Sequence, residues 1–172
     1  MINDTDTSQP SQSERLLSAL SHVSILIPRI GLLVPVIIWI IQTKQKSKSH
    51  YLTFQSLQAL IHQAIFMIIG IIDYWSIFFI PTSVFVVNID RMVTISLIIN
   101  FVIIAYGIIG AILTFQGKPF SYWIIGKQVN RFMPTVNLRP SIIYIPLIVF
   151  ALINFLAFAV MSFLTIAALA SD

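Results

Sequence analysis

The chain has no cysteine among its 172 residues, and only 9% of them are charged. The first absence excludes disulfides, thiolate nucleophiles and cysteine-ligated zinc or iron–sulfur centres. The second excludes an ordinary water-soluble domain, in which about a quarter of residues carry charge. A chain this poor in charge cannot cover its own surface with polar groups and needs lipid as its solvent. Acid is scarcer than base, with six Asp and Glu against ten Lys and Arg. The pattern of a catalyst is missing as well. There is no His-Glu-x-x-His, no glycine-rich phosphate loop, no Ser-His-Asp set and no pair of carboxylates inside the apolar runs. His22, His50 and His62 stand alone, without a second ligand at i+3 or i+4, so no metal site and no cofactor is expected. The reading is a non-enzyme.

What is present is apolar sequence, 58% of the chain, arranged in long runs. The polar stretch 1–13 reads as a disordered tail. The first run, Leu16 to Ile41, is interrupted by His22, Pro28, Arg29 and Pro35. A loop with Lys44, Lys46 and Lys48 follows. The second run extends from Phe54 to Ile80 and the third from Met92 to Phe115. The fourth, Ile142 to Leu169, has no charge at all. Each run has the roughly 20 apolar residues that a bilayer crossing needs. The expected fold is therefore all-α: an integral membrane bundle of about four transmembrane helices, with an amphipathic interfacial helix before the last. The first run is ambiguous. It crosses as one kinked helix, the preferred reading, or turns near Pro28–Gly31 as a hairpin of half-helices.

The basic residues sit in loops and read as topology and lipid contact, not as nucleic-acid binding. The first loop and the segment with Lys118, Lys127, Arg131 and Arg139 fall on one side, the cytoplasmic one. Both termini then lie outside if the first run crosses. Trp39, Lys44, Lys46, Lys48, Trp123, Lys127 and Arg131 are expected at the lipid interface, near anionic headgroups. Over Ser121 to Met133 the amphipathic face is formed by Tyr122, Ile125, Val129 and Phe132. The expected setting is a prokaryotic cytoplasmic membrane, crossed several times, with other membrane subunits as partners.

Inside the second run, Gln55, Gln58, His62 and Asp73 fall within about 60° on a helical wheel. Polar groups in lipid face the bundle interior. The plain reading is hydrogen bonding between helices; the alternative is a polar path for a proton, an ion or a polypeptide. On the third run Ser96, Asn100, Gly107, Gly110, Ala111 and Thr114 form a facing stripe suited to close packing. Arg29 and Asp73 are the only opposite charges within the spans at similar depth, and a pair between them is expected as structural glue.

Four short segments recur in order: Glu14-Arg15-Leu16-Leu17-Ser18-Ala19-Leu20-Ser21-His22, Pro35-Val36-Ile37-Ile38-Trp39, Phe54-Gln55-Ser56-Leu57-Gln58-Ala59-Leu60, and Gly117-Lys118-Pro119-Phe120-Ser121-Tyr122. Together they resemble the Tic-twenty-like family of small prokaryotic membrane proteins, over residues 14–133. The resemblance implies a helical membrane bundle and no catalytic reaction; the expected role is an accessory, structural or translocation-type subunit of a membrane complex. A small channel or carrier is the alternative. Residues 134–172 would add a further transmembrane helix. The loop topology is tested by a cysteine at Ser83 in this cysteine-free chain. It is expected to react with an impermeant maleimide only from the non-cytoplasmic side, and labelling from the cytoplasm alone would invert the assignment.

Overall fold

The computed structural model describes residues 9–27, 30–45, 49–79 and 82–138, with the backbone alone at 74–79, 82–90 and 134–138. Five α-helices are found and, among the described residues, no strand. The chain divides into two compact units, 1–131 and 132–172. The described part of the second unit is residues 132–138.

Helix α1, Gln12–Val23, opens on a capping box. Ser11 Oγ accepts from the Glu14 N–H, and Glu14 Oε2 accepts from the Ser11 N–H at 2.7 Å. Such a cap is worth about 0.5–2 kcal/mol because it satisfies two of the orphan donors of the first turn. Hydrogen bonds from Ser49, first, and Ser11 hold the Glu14 carboxyl below its ordinary range. The stabilisation from its charge is thus complete above the ordinary carboxylate range and is lost only as pH falls through the lowered value.

A short 3-10 turn, Ser24–Leu26, ends this leg, and α2, Leu33–Lys44, forms the return. The reversal needs Gly31: a Cβ there would overlap the carbonyl oxygen of Ser24. Pro35 does not break a helix, because it lies in the first turn of α2, where its missing N–H has no partner to lose. Each leg has 12 residues, about 18 Å of helix, against a hydrocarbon core of about 30 Å.

Two long helices follow, α3, His50–Phe79, and α4, Thr82–Phe115. Their segments His50–Asp73 and Arg91–Phe115 are long and apolar enough to cross a bilayer. Only 17% of the α4 segment is buried within the protein. Leu97 at 65% and Phe101 at 72% exposure belong in lipid rather than water. Helix α5, Ile125–Leu138, completes the order.

Side-chain contacts fix the directions. Glu14 reaches Ser49, His22 reaches Gln55, and Gln63 reaches Ser24, so α1 runs parallel to α3. Gly107 faces Ile25 while Gly117 faces Arg15, so α4 runs antiparallel to α1. Gln42, near the end of α2, meets Ser49, just before α3. The first apolar run is therefore a hairpin with both ends at one side, not the kinked crossing that was preferred from sequence. Of the four crossings expected, two have helices long and apolar enough to make them among the described residues. The first run turns back, and the fourth run lies outside the described residues. Cysteines placed singly at Ser13 and Gln116 should consequently be labelled from the same side of the membrane. Labelling from opposite sides would mean that the first run crosses.

Candidate functional site: a polar network beneath a re-entrant loop

Helix α4 ends at Phe115 on a Schellman-type reversal. Gly117 has φ +74°, its N–H donates to Thr114 O, and the Lys118 N–H donates to Leu113 O. Glycine takes this left-handed position without a Cβ clash. The chain then folds back along α4. The Phe120 ring sits on Gly110, where a Cβ would lie 2.7 Å from the ring, and the Trp123 N–H donates to Tyr106 Oη at 3.3 Å. Tyr106 precedes Phe115 by nine residues, about 13 Å along the helix. Residues 117–124 thus re-enter the half of the protein that holds the hairpin.

Non-helical backbone at membrane depth is tolerated only where protein satisfies it. The glutamines of α3 do so. Phe120 C=O accepts from Gln55 Nε2 at 3.0 Å and from Gln58 Nε2 at 2.9 Å. Gln58 Oε1 accepts the Tyr122 N–H at 3.2 Å. Gln58 Nε2 also donates to Gln55 Oε1 at 2.6 Å. That oxygen lies 3.1 Å from His22 Nε2, and an amide oxygen only accepts. His22 Nε2 therefore carries the proton, and Nδ1 accepts from the Tyr122 hydroxyl at 2.9 Å. The donor and acceptor directions close into one consistent set. Around it, His62 stacks on Tyr122 with centroids 4.2 Å apart, and Tyr106 and Phe120 pack edge-on against Tyr122. Each such aromatic pair contributes about 0.5–1.5 kcal/mol beyond its buried area.

The stripe expected on the second run is divided. Gln55, Gln58 and His62 are buried together. Asp73, farther along α3, accepts from Ser96 Oγ and, at 3.4 Å, from Asn100 Nδ2. Arg29, its expected partner, lies outside the described residues. The small residues of α4 meet α1 and the loop: Gly107 faces Ile25, and Gly110 faces Phe120. Gln63, about 100° away from His62 on the wheel, lies outside that stripe. It nevertheless holds the far end of α1, its Nε2 donating to Ser21 O at 2.8 Å and Ser24 Oγ at 2.9 Å. Phe120 and Tyr122 are the centre of the network, although the sequence marks Tyr122 only as part of an amphipathic face.

Among the expected interface residues, Lys44, Trp123, Lys127 and Arg131 are exposed, whereas Lys46 and Lys48 lie outside the described residues. Trp39 is a correction: it is fully buried, on a helix that packs against α3. The amphipathic face before the last run is corrected too. Tyr122 precedes α5 and belongs to the core, and Phe132 is 58% exposed, while Gly126 and Val129 are buried. Among the described residues no group of three or more His, Cys, Asp or Glu is placed to hold a metal ion.

Two bilayer-length helices and apolar surface left uncovered define an all-helical membrane protein. The chain belongs to the MamF/MmsF family, the magnetosome magnetite crystal formation protein family, whose model matches residues 13–129. The match takes in the hairpin, both long helices and the re-entrant loop. No curated protein and no solved structure matches the chain. The Tic-twenty-like resemblance is overturned by this match, since the same stretch belongs to a different family.

If the glutamines hold the loop, Gln58→Leu strands the Tyr122 N–H and should lower stability by about 1–3 kcal/mol. Tyr122→Phe removes one hydroxyl bond and should cost about 1 kcal/mol. Thermal unfolding in mild detergent ranks the two; a Gln58→Leu protein as stable as the parent would show that the network does not secure the loop.

Proposed function

We propose that the chain is a non-catalytic, structural component of the membrane in which magnetite crystals form. Family membership supports the setting, and the closed hydrogen-bond network supports the role. The buried amides of Gln55 and Gln58 are occupied by backbone groups of residues 120–122 and by one another. Groups used in this way hold a shape. Both donors of Gln58 and its oxygen are engaged in this way, which weighs against a small channel or carrier working through this stripe. Exposed apolar side chains along α4, Leu97, Ile98 and Phe101 among them, give the protein surface for lipid or for other subunits of the crystal-forming membrane.

The test is complementation in a magnetite-forming bacterium stripped of its own members of the family. The chain should co-purify with crystal-bearing membrane and shift crystal dimensions in electron micrographs toward those of the parent strain. The double variant Gln55→Leu, Gln58→Leu should lose this effect. Crystals unchanged by a chain that is present in that membrane would refute the proposal. Protein-dependent ion flux in liposomes, unaffected by crystal formation, would favour the carrier instead.

A further inference from the structure

The first unit has very different widths at two depths. At the level of His22, five segments lie side by side: α1, α2, α3, α4 and the loop 117–124. Helix α1 stands between the two long helices. Ser18, Ser21 and His22 are at most 1% exposed, with Gln55 and Gln63 of α3 on one side and Gly107 of α4 on another. Beyond Ile25 and the Gly31 reversal, α3 and α4 continue alone among the described residues of this unit and meet through Asp73, Ser96 and Asn100. Burial records the same step. Most of residues 52–63 are buried, and none of 64–73 is; on α4, residues 91–102 are all exposed except the half-buried Ser96 and Asn100.

The step falls near the middle of a bilayer. Each hairpin leg is about 18 Å long, and one leaflet of hydrocarbon is about 15 Å thick. The hairpin meets lipid directly: Leu16, Leu20, Ile37 and Ile41 are 57%, 46%, 53% and 49% exposed on its outer surface. It therefore displaces acyl chains from one leaflet. With helices about 10 Å across, the hairpin and loop add on the order of two to three helix cross-sections to that leaflet and nothing to the other. Any segment that crosses fully adds equal area to both and leaves the difference unchanged.

We propose that the first unit is a wedge whose preferred ligand is a curved lipid surface, convex on the side of the Lys44 and Lys118 loops. A flat bilayer has matched leaflets and must be compressed on one side to accept the unit. A membrane bulging toward those loops already has the extra area in the right leaflet. The asymmetry comes from chain geometry, so it does not depend on charge or on a role in crystal formation.

The test uses the full chain carrying Lys118→Cys, an exposed site, labelled with a fluorophore and reconstituted in both orientations in giant vesicles of neutral phosphatidylcholine. An impermeant quencher separates the two populations, and tethers of decreasing radius are pulled from the vesicles. Molecules with position 118 outside should show a tether-to-vesicle density ratio above unity that rises as the tether narrows. Those with it inside should fall below unity. Equal ratios for the two orientations, or the reverse order, would overturn the proposal.

Discussion

Everything in the first unit depends on one constraint: in lipid, a backbone N–H or C=O without a partner costs several kcal/mol. Helices satisfy themselves, but a reversal such as residues 117–124 does not. The chain meets that demand with side chains from another helix. Gln55 and Gln58 lie one turn apart on α3, so their amides present donors and an acceptor at the spacing of the Phe120 carbonyl and the Tyr122 amide. Tyr122 is placed by this and in turn orients His22, which ties α1 to the same centre. Remove the glutamines and the loop, the aromatic stack and the first helix lose their common anchor.

The same logic explains why the hairpin is tolerated. The carbonyls at the end of α1 are orphaned where the helix stops, and one accepts from Gln63. Small residues do the rest. Gly31 lets the return leg approach Ser24, and Gly107 and Gly110 let α1 and the loop come close to α4. Close approach, not a hydrophobic drive between helices, is the available source of packing energy in a membrane.

The helical class and the two long crossings were legible from run length and hydropathy, and so was the inward side of Gln55, Gln58 and His62. The hairpin was legible only as one of two options. Pro28, Gly31 and Pro35 mark an interruption, but the choice between kink and reversal lies in contacts from Gln55, Gln63 and Gly107, far along the chain. Trp39 misled because a tryptophan near a basic loop is the usual sign of an interface, whereas here it is fully buried in the protein. The re-entrant loop left little trace, since Phe120 and Tyr122 sit in a polar, glycine- and proline-bearing stretch that reads as a surface connection. Only the glutamines hinted that some backbone needed partners.

The bond between His22 and Tyr122 spans 100 positions of sequence. A ribosome delivers the N-terminal leg first. When α1 and α2 emerge, the residues that will receive His22, Ser21 and Ser24 have not been made. Until α3 and then the loop after α4 arrive, His22, Ser21 and Ser24 are without these partners. Assembly of this unit ends, rather than begins, at its N-terminus, and an incompletely synthesised chain lacks the clasp that would hold the hairpin in the bilayer.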